Sequence, residues 1–271
     1  MIRGIYAIVI LDLKRAWLDR ARVISGLIQP LLYLFVLGAG FGASSTVANY
    51  QGYIFAGVLA LNLLFTSTFA AITIVFDRQI GFFKAVLVAP LPRSALAMGK
   101  IFAGGIQAFA QALLVLPFAP LVKVSLTWGT SIELLLAMFL CSLAFSAMGV
   151  AVAARFTSTT VFPIVSNALL LPMFFLSGAL YPLNKAPVWI RNLAYADPVA
   201  YGVDLMRGSI MQGSTAKPFA LWPWASPVWS PWLSVLALVA FILLLAGMAV
   251  RVFNRGEDDS SLGATEFRWR R

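Results

Sequence analysis

The chain contains no histidine and a single cysteine, Cys141, in 271 residues. One thiol excludes an intrachain disulfide and any cysteine-based metal site built by one chain. Charge is scarce as well: 11% of residues are charged against 61% hydrophobic, and mean hydropathy is +0.90. Soluble domains carry about 25% charged residues, so this composition describes a chain made for a bilayer. The nucleotide-binding pattern G-x-x-x-x-G-K-S/T is missing; Gly99-Lys100 is followed by Ile101 and lacks the upstream glycine. ATP hydrolysis by this chain is therefore not expected. No nucleophile, base and orienting acid stand in a recognisable arrangement, which argues against enzymatic chemistry. Ionisable residues are almost absent from the apolar runs, whereas proton-coupled carriers place acids or histidine at membrane depth. Glu133, near the start of the fourth run, is expected at the outer surface.

What is present is length. Crossing about 30 Å of hydrocarbon takes roughly 20 apolar residues of helix. Six such runs occur, near 23–42, 53–76, 96–122, 132–154, 161–182 and 232–253. A β-barrel would alternate apolar and polar residues, and these runs are continuous. The sequence thus predicts an all-α membrane protein with six transmembrane helices in one domain over 1–271. The first run is expected to be retained, since residues 1–22 are too long and too mixed in charge for a signal-peptide n-region.

Positive charge follows the membrane. Arg3, Lys14, Arg15, Arg20 and Arg22 precede the first run; Arg78, Lys84 and Arg93 separate the second and third, with Lys100 just inside the third; Arg155 separates the fourth and fifth; Arg251, Arg255, Arg268, Arg270 and Arg271 close the chain. The alternate loops are poor in Lys and Arg. This asymmetry places both termini, with a tail over 254–271, in the cytoplasm. Basic residues dispersed along one membrane face, without a stripe of stacking aromatics, do not describe a nucleic-acid surface.

Four segments outside the spans are informative. Over residues 1–22, Ile2, Ile5, Tyr6, Val9, Leu13 and Trp17 recur at helical spacing, with Arg3, Lys14, Arg15 and Asp19 left for water, which predicts an amphipathic interfacial helix. It reads as a membrane anchor ahead of a partner contact. Between spans two and three, Ile80, Phe83 and Leu87 share one side of a short helix that Pro90 and Pro92 stop. Such a helix docks on something or lies in the interface as an ordinary loop; the residues support both. From Tyr181 to Arg207, Trp189, Tyr195 and Tyr201 suit the outer interface, while Arg191, Asp197, Asp204 and Arg207 are costly in hydrocarbon, so short non-spanning helices are expected. Asp204 and Arg207, three apart, could form an exposed helical pair. Residues 213–231 read as an outer loop rich in Pro and Trp.

Within the spans the polarity is neutral: Asn62 and Thr66 in the second, Gln107 and Gln111 in the third, Asn167 in the fifth. Gln107 and Gln111 share a face and either line a polar path or bond neighbouring helices. Pro30 and Pro172 should kink their helices.

The order of these features carries a resemblance. An amphipathic N-terminus, six spans, Asp77-Arg78 … Gly81 … Leu87 … Pro90 … Arg93 … Gly99-Lys100, and Phe175-Leu176-Ser177-Gly178 leading through Tyr181-Pro182 to Asp197-Pro198 … Tyr201 … Asp204 … Arg207-Gly208 resemble the type-2 ABC transporter permeases. The likeness extends over nearly the whole chain, to the branch with nodulation-factor and antibiotic-resistance exporters. It implies a half-transporter in a bacterial inner membrane. A second permease chain, expected to be identical, would pair with this one, and two ABC ATPase subunits carrying ATP and Mg would dock on the cytoplasmic face; this chain holds no cofactor. The resemblance implies an ATPase-coupling helix at Asp77, Arg78, Gly81, Phe83, Lys84, Leu87, Pro90 and Arg93, departing from relatives at Lys84, where an acid is common. It also implies outer helices re-entering around Arg191, Asp197, Pro198, Tyr201, Asp204 and Arg207. The expected cargo is amphipathic or lipid-linked, a drug, lipid or glycoconjugate. The competing readings are a stand-alone channel or secondary carrier, although no internal repeat is found, and a structural membrane protein.

Overall fold

The computed structural model describes residues 2–42, 50–81, 93–122, 124, 127–183, 186–211 and 230–255, and these are helical with short connections and no strand among them. In chain order they form α1 (Ile2–Leu18), α2 (Arg20–Gly42), α3 (Tyr50–Ala70), α4 (Ile72–Gln79), α5 (Arg93–Leu113), α6 (Trp128–Ala153), α7 (Val161–Leu176), α8 (Val188–Ala194), α9 (Pro198–Ile210) and α10 (Ser230–Arg255). Four stretches are long and apolar enough to cross a membrane: Tyr50–Gln79, Ser94–Val122, Trp128–Ala153 and Pro231–Phe253. A fifth follows if α1 and α2, bent by 73°, are taken together.

At the centre stands α3, with every residue from Gly52 to Leu64 buried. It packs against α2, α5, α6 and α9, and close approach to α6 is possible because residue 149 lacks a side chain: a Cβ there would lie 2.7 Å from Thr68 Cα. The helix continues into α4 through a tight turn at Ala71, whose N–H bonds to Thr68 O (3.1 Å). Together they make a rod of 30 residues, about 45 Å at 1.5 Å per residue and longer than the hydrocarbon layer, so its ends reach polar surroundings.

The extent of one run is revised, and two other segments gain detail. The fifth run is helical only over Val161–Leu176, because Ser177 and Gly178 turn the chain, with Gly178 in the left-handed region at φ +74°; hydropathy does not register that turn. Past Leu113 the third run tightens into a 3₁₀ helix over Leu116–Val122 containing Pro117 and Pro120. Finally, α1 does bind the interior of the protein, through Gly4, Ile8, Asp12 and Ala16 packed on α5, while Ile2, Tyr6 and Trp17 point outward. Of the apolar residues expected to anchor it, Ile2, Tyr6 and Trp17 are thus exposed and Ile5, Val9 and Leu13 half-buried, while a different stripe docks it.

Candidate functional site

Three polar constellations occupy the bundle. The first joins α1, α4 and α5. The Lys100 ammonium donates to Asp12 (2.9 Å to Oδ2, 3.1 Å to Oδ1), to Asp77 Oδ2 (2.9 Å) and to Thr73 Oγ1 (3.2 Å). Arg15 Nη1 donates to Asp77 Oδ1 at 3.2 Å and lies 3.9 Å from Asp12. Lys100, Asp77 and Asp12 are all buried. The three donors of the ammonium are matched by three acceptors, which is what makes a buried charge tolerable. Next along α4, Arg78 turns the other way and donates to the carbonyls of Ala154 (2.7 Å) and Phe156 (3.4 Å), with its guanidinium 5.5 Å from the Phe253 ring centroid. It thereby caps the C-terminus of α6, where carbonyls lack helical partners. The end of α4 is thus tied to α1 and α5 on one side and to α6 and α10 on the other.

Of the segment Asp77 to Leu87 that the resemblance reads as a coupling helix, the described residues include only its start, as far as Gly81. The helix ends at Gln79, and Gly81 at φ +72° turns the chain. Asp77 and Arg78 belong to the rod before that turn, and Asp77 is buried under Lys100 and Arg15. Phe83, Lys84, Leu87 and Pro90 lie outside the described residues; Arg93 opens α5.

The second constellation is a cleft of about 300 Å³ between α2, α3 and α5. Asn62, Thr66, Gln107 and Gln111 all line it. Asn167 does not; it is exposed on α7, while its neighbour Ser166 is buried. Pro30 lies inside α2 here and has no N–H to offer the carbonyl of Gly26 one turn earlier. Asn62 Nδ2 takes its place, donating to Gly26 O at 3.1 Å. A second cavity, of about 170 Å³, contains the Asp12–Lys100 contact and shares Ala70 and Gln107 with the cleft.

The third constellation lies at the opposite end of the α3–α4 rod. Arg207 on α9 donates to Gly178 O (3.0 Å) and Ala179 O (3.4 Å), with its guanidinium 3.6 Å from the centroid of the Tyr53 ring. Tyr53 Oη donates to Gly178 O (3.2 Å) and Tyr50 Oη to Leu180 O (3.3 Å). The turn after α7 is therefore held by its carbonyls against α3 and α9. Asp204 accepts from Ser234 Oγ of α10 at 3.2 Å. Asp204 and Arg207 are both buried, so the exposed pair expected from their spacing is not what forms. Asp197 caps α9, its Oδ1 accepting from Val199 N at 2.9 Å with Pro198 at the first helical position. Burial pushes this carboxyl up to about 7 despite the hydrogen bond from Val199. Tyr201 Oη donates to Tyr195 O (2.6 Å), and Arg191 lies on α8, half-buried.

The contact of Asp12, Asp77 and Lys100 was not legible in the sequence. Its one signal is Asp12 in an otherwise small or apolar stripe at four-residue spacing, Gly4, Ile8, Asp12 and Ala16. Among the described residues no group of His, Cys, Asp or Glu is arranged to hold a metal ion.

The sequence profile of the ABC-2 type transporter family matches residues 3–211. Nodulation protein J of Rhizobium leguminosarum bv. viciae is 29% identical over 199 residues, covering 70% of this chain and 75% of that protein. Its counterpart in Rhizobium meliloti is 30% identical over 202 residues, covering 72% and 75%. A probable doxorubicin resistance ABC transporter permease protein, DrrC of Mycobacterium tuberculosis, is 28% identical over 205 residues, 74% of each chain. With three-quarters of the chain inside the family profile, this protein belongs to the ABC-2 type transporter family, a component of membrane transport.

Proposed function

We propose that this chain is the permease half of an ATP-driven exporter, moving an amphipathic or lipid-linked substrate out of the cytoplasm or inner leaflet of a bacterial inner membrane. The observation that carries the proposal is the cleft. Six neutral polar side chains from three helices, Ser25, Gln29, Asn62, Thr66, Gln107 and Gln111, line it in a chain from a transport family. An interior surface that offers hydrogen bonds without fixed charge suits a cargo that is partly apolar. ABC-2 permeases work with ABC ATPase subunits, and two such subunits, carrying ATP and Mg, would dock at the end of the chain that bears Asp77 and Arg93. A second copy of the chain completes the pore.

Six spans follow if α2, the α3–α4 rod, α5, α6, α7 and α10 each cross, with α1 lying in the interface and α8 and α9 re-entering from outside. The positive charge then puts both termini in the cytoplasm. ATP closes the ATPase pair and draws the segments after Gly81 together; α4, tied on both sides, carries that displacement into the bundle. Binding of nucleotide shifts the populations of inward- and outward-open states.

The test is gentle extraction of the tagged chain from its native membrane. Co-purification of a P-loop ATPase that hydrolyses ATP is the expected result. Isolation of the chain alone, exchanging or conducting solute without ATP, would instead establish a channel or carrier.

A further inference from the structure

The helix α2 is held unevenly along its length. From Pro30 onward it packs on the bundle through Pro30, Leu34 and Gly38, a buried stripe at four-residue spacing. Before Pro30 none of the residues from Val23 to Gln29 is buried: Ile24 and Ile28 are 60% and 58% exposed, and Leu27 rests half-buried against the core. At its other end this stretch is bounded by Asp19, where the helical run is interrupted and α1 and α2 bend by 73°. Beyond that bend α1 is docked on α5 by its own buried stripe. Residues 20–29 therefore run between two anchored pieces with little packing of their own.

Beneath this stretch lies a cavity. Ser25, Gly26, Gln29 and Pro30 form one wall of the cleft of about 300 Å³. Two amides reach across to that wall. Asn62 Nδ2 of α3 donates to Gly26 O at 3.1 Å, and the Gln111 amide of α5 lies so close to Gly26 that a Cβ there would collide with it. Both contacts fall one turn before Pro30, where the helical ladder lacks a rung because proline has no N–H. A helix bends most readily at such a point. The contact is also weakly held. Asn62 Oδ1, the other arm of the same amide, is buried without a hydrogen-bond partner, so the gain from one bond is set against the cost of an orphaned acceptor. Moving the stretch outward would admit water to both arms of the amide and to Gly26 O, which brings the two arrangements close in free energy.

We propose that residues 20–29 of α2 are a strap across the cleft, hinged at Asp19 and Pro30 and latched by the Asn62 amide on the Gly26 carbonyl. Closed, the strap forms the cleft wall seen in this structure. Open, it bows outward and wets the cleft, while α1 and the second half of α2 stay docked. The motion follows from the packing of this chain alone and goes beyond the transport reading, since it needs neither an ATPase nor a cargo.

Thr66 lines the cleft from α3 and reports its wetting. The full chain carries Thr66→Cys, with the buried Cys141 replaced by Ala, and is labelled with a charged, water-soluble maleimide in membrane fragments open to both sides. Asn62→Leu releases the latch and should speed labelling about fivefold, the loss of one hydrogen bond. Pro30→Ala restores the N–H that completes the rung to Gly26 O. It should slow labelling severalfold, although by removing side-chain volume from the lining it would on space alone speed it. With the hinge removed the latch no longer matters, so the double variant should label at the slow rate of Pro30→Ala. A monodisperse elution profile shows that a variant is folded; where one single variant fails this control, the other decides. Unchanged or faster labelling in Pro30→Ala, unchanged or slower labelling in Asn62→Leu, or the same acceleration by Asn62→Leu with and without Pro30→Ala overturns the strap.

Discussion

Lys100 is a residue whose removal should cost far more than its retention contributes. It is 4% exposed in its side chain and answers two buried carboxylates at 2.9 Å each. Taking the ammonium away leaves Asp12 and Asp77 with Arg15 as their one cation among the described residues, and it is itself 41% exposed. Lys100→Met should therefore lower stability by about 3–5 kcal/mol, whereas Asp12→Asn, Asp77→Asn and Lys100→Met together should recover much of that loss, since replacing a whole buried ionic cluster is often close to neutral. Thermal midpoints in detergent would separate the two cases; equal midpoints for the single and triple variants would contradict the network. Asp197 gives a prediction with a pH axis. With a folded-state value raised to about 7 by burial against an ordinary carboxyl near 4, the unfolded chain loses its proton first as pH rises. Stability is then fully present below pH about 4 and declines by up to about 1.4 kcal/mol per unit until pH about 7. Asp197→Asn keeps an N-cap acceptor for Val199 without a titrating charge and should flatten that slope, while Asp197→Ala should lose about 1 kcal/mol of capping at every pH. The sequence made some of these residues legible and not others. Asn62, Thr66, Gln107 and Gln111 stood out as neutral polar groups in apolar runs and do meet in one cleft. Asn167 satisfied the same criterion but belongs to the exposed face of α7, one residue out of register from buried Ser166. Asp12 and Lys100 are 88 residues apart, and nothing in a one-helix periodicity joins them.

At the scale of elements, hydropathy located the long apolar helices, and most of their ends to within a few residues. Residues 161–182 and 96–122 read as uniform apolar runs, yet backbone chemistry cuts them: a left-handed Gly178 ends the one, and Pro117 and Pro120 shape the end of the other. The turn after α7 shows what such an interruption is for. Its carbonyls, released from the helical ladder, are gathered by Arg207, Tyr53 and Tyr50, so α7, α9 and α3 move together or the clamp breaks. Arg207→Lys keeps the charge but loses the planar stack on Tyr53, and should cost about 2 kcal/mol. Gly178→Ala should cost about 1–2 kcal/mol through the left-handed backbone alone. If the clamp acts as a unit, the double variant will be less destabilised than the sum of the two, a coupling that a double-mutant cycle on thermal stability measures. Strict additivity would show that the turn and the arginine act separately.

Across the whole molecule, the α3–α4 rod is the one described element that touches all three polar constellations. It carries Asp77, Arg78 and Thr73 at one end, Asn62 and Thr66 midway and Tyr50 and Tyr53 at the other. A displacement applied just beyond Gly81 therefore meets no slack: Asp77 and Arg78 hold the rod to four neighbouring helices, and tilting it must alter the cleft wall that bears Asn62. Packed interiors pass on such movements because they repack between discrete arrangements instead of stretching. The proposed coupling then predicts two distinguishable failures. Phe83→Asp with Leu87→Asp, in the segment that would meet the ATPase, should abolish transport and weaken ATPase co-purification while the chain still inserts in the membrane. Arg78→Gln, which shortens the reach to Ala154 O and removes the charge over Phe253, should leave the ATPase bound but reduce transport per ATP hydrolysed. Measuring retained ATPase and transport per ATP in proteoliposomes for both variants decides the matter: normal transport in the double aspartate variant removes the coupling assignment, and an unchanged ratio in Arg78→Gln means that the rod carries displacement without its attachment to α6.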